Sequence, residues 1–324
     1  MEIDSVQTNS LEVNGEAVSG GSNPNLLING NFDIWQRGTS QVNTSGYASD
    51  DRWFNAYTGP STTCSQQSFT IGQTDVPNNP DYYSRTVVTL DAASASFFVA
   101  KQQRIESVKT LSSKTATLSF WAKANASKDL TTEFVQYFGT GGSPSSTVTT
   151  IGVTTHSLTT SWQKFTVTAD IPSISGKTLG TAGDDFLQVN FWFYAGADYN
   201  SRTNSIGYQD GTFDIAQAKL EEGSVATPFI PRPIAEELAL CQRYFQEQIL
   251  HSRAYDTLAA AQTYTVLWPV TFRATPTTDV TVTTNTNISA YDLDISASRC
   301  FVYVASSTTG YAIWQATVEL DAEL

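Results

Sequence analysis

The sequence predicts an all-β protein: a large antiparallel β-sandwich, one connecting helix and a smaller β domain toward the C-terminal end. Three observations carry this. Charged residues are only 15% of the chain, against about 25% in an average domain. Ser, Thr, Asn, Val and aromatic residues fill the gap, and the last two kinds suit a pleated, half-buried surface. Short alternating runs are broken by turn-rich pieces, the pattern of strands and hairpins. Only one stretch shows the apolar spacing of a helix. A length of 324 residues, 40% of them hydrophobic, is enough for two domains at roughly 100–200 residues each.

Residues 1–24 are polar and end in GGSNP. Within them SLEVNGEAVSG alternates around an Asn-Gly pair, a hairpin signal, yet it is too short to fold by itself. It reads either as a frayed tail or as an attachment arm that docks on another chain. Residues 25–230 form the main β block. Its candidate strands are LLINGNFDIW, the segment around SRTVVTL, FFVAKQQRIESV, TATLSFWAKA, TEFVQYFG, SWQKFTVTADI, LQVNFWFYAG and GTFDIAQAKLEEG. TGPSTT, TDVPNNPD, GTGGSPSS and GTAGDD separate them. The opening stretch reads as a first strand with a glycine irregularity, Leu27, Asn29 and Asn31 alternating with Leu26, Ile28, Gly30 and Phe32. Phe32 and Trp35 are expected in or against the core.

Residues 231–251 are the connector. Pro228, Pro231 and Pro233 stiffen the chain. Ile234, Leu238, Cys241 and Phe245 then fall on one helical face, with Glu236 and Glu237 in the first turn, where the helix dipole favours negative charge. Residues 252–324 return to strands: TYTVLWPVTFRATP, TDVTVTTN, ISAYDLDIS, RCFVYVAS and GYAIWQATVELDAEL. Pro269 and Pro276 mark edges or bulges. Tyr311 and Ile313, then Trp314, Ala316, Val318 and Leu320, break phase in the last strand, which predicts a bulge there.

The formal charge of −13 lacks the basic footprint of a nucleic-acid binder, and anionic membranes would repel it. No apolar run approaches the roughly 20 residues of a membrane span, and the acidic, polar N-terminus is no signal peptide. Cys64, Cys241 and Cys300 have no metal-ligand spacing and suit free thiols of a protein made in a reducing cytoplasm. His156 and His251 stand beside no recognisable nucleophile and read as surface or capping side chains. No nucleophile-elbow, phosphate-loop or zinc-protease motif occurs, so the chain is predicted not to be an enzyme. Acid-pair hydrolysis needs two carboxylates that meet in space; Asp184 with Asp185, and Asp292 with Asp294, are the candidates.

Binding chemistry is more visible on strand faces, because successive side chains alternate. In LQVNFWFYAG, Leu187, Val189, Phe191 and Phe193 form a core face, and Gln188, Asn190, Trp192 and Tyr194 the opposite one. In TATLSFWAKA, Leu118, Phe120 and Ala122 oppose Thr117, Ser119, Trp121 and Lys123. Amides and hydroxyls beside flat aromatics suit a sugar, whose ring has an apolar face and polar edges. Amphipathic aromatics also suit an oligomer interface or packing beneath a loop. Both readings stay open. The candidate carbohydrate-binding residues are Trp121, Gln188, Asn190, Trp192 and Tyr194.

The order NLLINGNFDIW, TLSFWAKA, SWQKFTVTADI and GTFDIAQAKLEEG resembles the carbohydrate-binding modules with a galactose-binding-like jelly roll. NPNLLINGNFDIWQRG, DRW at Asp51–Trp53, and EEGSVATPFIPRPIAEELALCQRYFQ together resemble bacteriophage tail-fibre and related virion appendage proteins, over about residues 8–324. The resemblance implies a jelly-roll sandwich and a virion protein, located at the tail or another appendage. It implies a homotrimer that contacts other virion proteins through residues 1–24 and a host cell-surface polysaccharide through its binding face. A purely structural virion component, such as a head fibre, decoration protein or adaptor, is the alternative, and a glycan hydrolase the third. A structural Ca²⁺ often bridges the first and last strands of such modules. The matching acids are Asp33 and Asp214; pairing of Asp33 with Arg37, or a turn-capping role for Asp214, is the competing reading.

Overall fold

A computed structural model describes residues 11–13, 16–18, 23–256, 261–307 and 309–324. The chain divides into two compact units, Met1–Arg232 and Pro233–Leu324. In the first, β1 (Leu11–Val13) and β2 (Glu16–Val18) pair as a hairpin, as the Asn-Gly signal predicts. Then follow β3 (Ser40–Val42), β4 (Phe54–Thr58), β5 (Ser61–Ser68), β6 (Tyr82–Thr89), β7 (Phe98–Glu106), β8 (Thr115–Ala124), β9 (Lys128–Tyr137), β10 (Val148–Leu158), β11 (Gln163–Asp170) and β12 (Phe186–Ala195). A four-residue helix, α1 (Asn200–Thr203), precedes β13 (Gly211–Glu222).

These strands form two antiparallel sheets, β10-β9-β12-β7-β4 and β11-β8-β13-β6-β5-β3. From β6 to β13 the chain crosses between sheets at nearly every step, with only β9 and β10 being successive partners in one sheet. This interleaving is the jelly-roll sandwich. The alternation read from sequence fills its core: Leu118, Phe120, Leu187, Val189, Phe191, Phe213 and Leu220 are all buried. Phe191 meets Phe120 edge-on at 5.0 Å and lies 5.9 Å from Trp53.

The opening stretch is not a strand, contrary to the alternation in its sequence. Asn29 and Phe32 have positive φ, 55° and 58°, so the backbone turns rather than extends. It nevertheless completes a sheet edge. The β13–β6 pairing ends at Ile215, and β13 bulges between Ala216 and Lys219. Beyond that point Leu26 N–H donates to Leu220 O at 2.8 Å and Ala218 N–H to Gly30 O at 2.8 Å. The Asn25 amide clamps the same strand, donating to Ala218 O (2.9 Å) and accepting from Leu220 N–H (3.0 Å). A Cβ on Gly30 would lie 2.2 Å from Ala218 O, so the approach requires glycine. Phe32 is fully buried and Trp35 packs against the core.

In the second unit α2 spans Ile234–Gln242, shorter than the apolar stripe predicts. Phe245, the last member of that stripe, instead opens β14 (Phe245–Asp256), which pairs along its whole length with β19 (Gly310–Asp321). Ile234 is 60% exposed, so the stripe is no continuous core face. With β15 (Ala261–Leu267), β16 (Thr277–Thr286), β17 (Ile288–Ile295) and β18 (Arg299–Ser306) it makes two sheets, β14-β19-β16 and β15-β18-β17. Their core gathers Trp268, Phe272, Val302, Val304, Trp314 and Val318. The predicted bulge lies on the partner strand: β19 keeps Ala312, Trp314, Ala316, Val318 and Leu320 inward, and β16 absorbs the irregularity between Val282 and Thr284.

Candidate functional site

The five residues predicted to bind sugar do not form one site. Phe120 and Leu118 point into the core, so Trp121 faces outward from the six-stranded sheet. Gln188, Asn190 and Trp192 face outward from the five-stranded sheet, behind Leu187, Val189 and Phe191. Trp121 and the β12 residues therefore lie on opposite sides of the sandwich.

The β12 side is organised around Glu133, a fully buried carboxylate on β9. It accepts hydrogen bonds from Asn190 Nδ2 (2.8 Å), Trp192 Nε1 (3.1 Å), Thr150 N–H (2.8 Å) and both Nε and Nη2 of Arg202 (2.9 Å each). Arg202, from α1, also lies 4.9 Å from the Trp192 ring centre. Phe98 and Tyr199 pack on the same indole at 5.7 and 5.5 Å. Trp192 is thus 1% exposed and enclosed on several sides. Tyr194 is fully buried, its hydroxyl donating to Ala92 O at 2.9 Å. Neither offers a face to a ligand. Beside them, Gln188 donates to Asn190 Oδ1, and Arg104 lies between the rings of Phe54 (4.8 Å) and Phe186 (5.0 Å).

The opposite side keeps more aromatic surface accessible. Trp121, Trp162 and Phe69 are half-buried around Tyr83. Tyr83 lies 5.2 Å from Trp162 and 4.7 Å from Phe69. Lys123 stands over Trp162 at 5.1 Å and Arg85 over Tyr83 at 5.6 Å, distances at which a cation is attracted to the ring face. Between the two cations lies Asp214, held bidentately by Arg85 (2.7 and 2.9 Å) and 3.8 Å from Lys123. The side chains of Arg85 and Lys123 are 30% and 27% exposed. Sequence reading found Trp121 here and missed Trp162, Tyr83 and Phe69. Their grouping comes from cross-strand register, with Arg85 opposite Asp214 and Asp214 opposite Lys123, which no local pattern encodes.

That register also redirects Asp214. A calcium site wants several oxygen ligands, and both Asp214 oxygens already take hydrogen bonds from Arg85. Asp33 accepts from Asn31 Nδ2 at 2.9 Å. Among the described residues no group of three or more His, Cys, Asp or Glu side chains is placed to hold a metal ion. The residues present do not fit calcium.

The acids considered for hydrolysis have structural work. Asp184 accepts from Thr140 N–H and Oγ1 (2.8 and 2.7 Å), and Asp185 from Val108 N–H (2.8 Å); both tie loops. Asp292 caps the neighbouring Leu293 N–H at 3.0 Å. His156 is no surface residue: it is 7% exposed, packs at 5.3 and 5.2 Å from Phe120 and Phe165, and lies 3.1 Å from Thr132 Oγ1.

No family model matches the chain, and no curated protein matches it in sequence. Solved structures do. The carbohydrate-binding module CBM4 is 16% identical, over 60% of this chain and 98% of its own, with a TM-score of 0.33. A putative sugar-binding protein from Bacteroides thetaiotaomicron is 12% identical, over 62% and 100%, at 0.36. The enzymatically active domain of bacteriophage CBA120 tailspike protein 4 is 11% identical, over 61% and 21%, at 0.37.

Proposed function

We propose that the chain is a glycan-binding appendage protein of a bacteriophage particle, attaching it to a polysaccharide on the host surface. The observation that carries the reading is the surface of Trp121, Trp162 and Phe69, packed around buried Tyr83 and bordered by Lys123 and Arg85. Half-buried indoles give a sugar ring something flat to stack on. Arg85 and Lys123, both partly exposed, offer donors to its hydroxyls, and buried Asp214 holds Arg85 in place behind them. The motif order from NLLINGNFDIW to ELALCQRYF supports the particle setting, with residues 1–24 as the joint to other virion proteins. Glycan-array binding and adsorption to host cells test it: Trp121→Ala and Trp162→Ala are expected to abolish binding in a folded protein. Undiminished binding by both variants would remove the site.

A second reading, a purely structural virion component, has its own support. The second unit exposes Ile249 (63%), Leu267 (73%), Phe301 (43%) and Tyr311 (65%), apolar area of the kind that subunit contacts cover. Assembly into a homotrimer is compatible with both readings; loss of assembly without loss of glycan affinity separates them.

A further inference from the structure

At one end of the sandwich interior lies a cluster that glycan binding does not use. The Lys101 side chain, on β7, is 1% exposed and that of Asp50 is fully buried. The Lys101 amine lies 2.6 Å from Asp50 Oδ2 and 2.6 Å from Asn55 Oδ1. Asn55, on β4, is the direct cross-strand partner of Lys101, so strand pairing itself presses amine against amide. Asn55 Nδ2 donates to Asp50 Oδ1 at 3.2 Å. One carboxylate therefore touches both the amine and the amide. Ser49 and Ser84 donate to its two oxygens at 2.8 and 2.9 Å and fix its orientation. A buried ion pair is often no more stabilising than apolar residues of like volume, so such a pair asks for another role.

We propose that Lys101 and Asn55 join in an intramolecular isopeptide bond, with Asp50 moving the protons. Asp50 first takes a proton from Lys101. The contact itself favours the charged pair, Asp50 held below and Lys101 above the usual value by each other's charge against the cost of burial, so the neutral pair is the minor, reactive form that a 2.6 Å proton shift supplies. The Nζ lone pair adds to Cγ of Asn55, whose Oδ1 takes the carbonyl electron pair, while Asp50 Oδ1 stays against Nδ2. A second Nζ proton passes through the carboxylate to Nδ2. The Cγ–Nδ2 bond breaks as the carbonyl re-forms, and ammonia leaves. One C–N bond replaces another, so no oxidant, cofactor or metal is needed. A cavity of about 10 Å³ lined in part by Asn55, Gln41 and Cys64 has room for one water-sized molecule, the size of the leaving group. Cys64 Sγ also lies 3.2 Å from Nζ, but burial and the nearby Asp50 charge push its thiol pKa up. It stays a poor nucleophile.

Mass spectrometry of the denatured full chain tests this. The chain is expected to be lighter than its sequence by one ammonia. Trypsin should leave Lys101 uncut, and the peptide holding it should be joined to the one holding Asn55. Lys101→Met and Asp50→Asn should restore the full mass. A wild-type chain of full sequence mass, with Lys101 freely cleaved, overturns the proposal whatever the variants do. So does loss of one water with Lys101 joined to Asp50, or gain of one oxygen less two hydrogens with Lys101 joined to Cys64.

Discussion

Enclosure of His156 by Phe120 and Phe165 holds its pKa down, from 6.5 to about 4, because burial penalises the imidazolium. The folded pKa is below the unfolded one, so between these values the unfolded chain binds the extra proton. The stabilisation is fully present above about pH 6.5 and fades as pH falls toward 4. At about 1.4 kcal/mol per pKa unit the loss reaches at most about 3.5 kcal/mol. Denaturant unfolding at pH 7.5 and 4.5 should show wild type losing more stability than His156→Gln; equal losses would refute this. The tryptophans separate in the same way. Trp192→Ala removes an enclosed indole and strands Glu133 and Arg202, and should cost about 3–5 kcal/mol. Trp121→Ala, half-exposed, should change the melting point little and glycan binding much. Residue alternation did reveal which way Trp121, Asn190 and Trp192 point. It carried no word of what lies above them: the cover on Trp192 comes from Tyr199 and Arg202, on a 3-10 turn and the short helix that continues it.

Among elements, the ten-residue strands β8 and β12 were legible because apolar side chains alternate with amides and hydroxyls along them, although β12 is buried on both faces. The opening stretch misled for a physical reason. It supplies N–H and C=O groups to β13 as a strand would and buries Leu27 and Phe32, yet Asn29 and Phe32 turn its backbone. The helical stripe misled because four apolar positions over two to three turns fit a helix that Phe245 never joins. Gly30 is where the opening element is most exposed to change. Gly30→Ala drives a methyl group into Ala218 O and should cost about 1–3 kcal/mol, the usual toll of overpacking. Thermal unfolding measures it, and a melting point equal to wild type would mean the 25–30 segment does not hold β13.

For the molecule as a whole, an all-β chain with a helix near residue 234 and further strands after it was legible from turn spacing and composition. The Lys101–Asp50–Asn55 cluster was not, since its members come from three separate segments and meet only when β4 and β7 pair. The exposed apolar side chains of the second unit point to self-assembly. Light scattering on the full chain is expected to give a trimer, and Phe301→Asp with Leu267→Asp to shift it toward monomer; a monomeric wild type would leave those side chains without a subunit partner. The clamp of Asn25 on β13 has one more consequence, in time. Its partners Ala218 and Leu220 lie 193 and 195 residues later in the chain. At roughly 5–20 residues per second of synthesis, the first segment of the sandwich waits about 10–40 s for the strand that receives it. Through that interval Leu27 and Phe32 stand unsheltered, so the opening of the sequence is among the last pieces to lock and the one most in need of protection while the protein is being made.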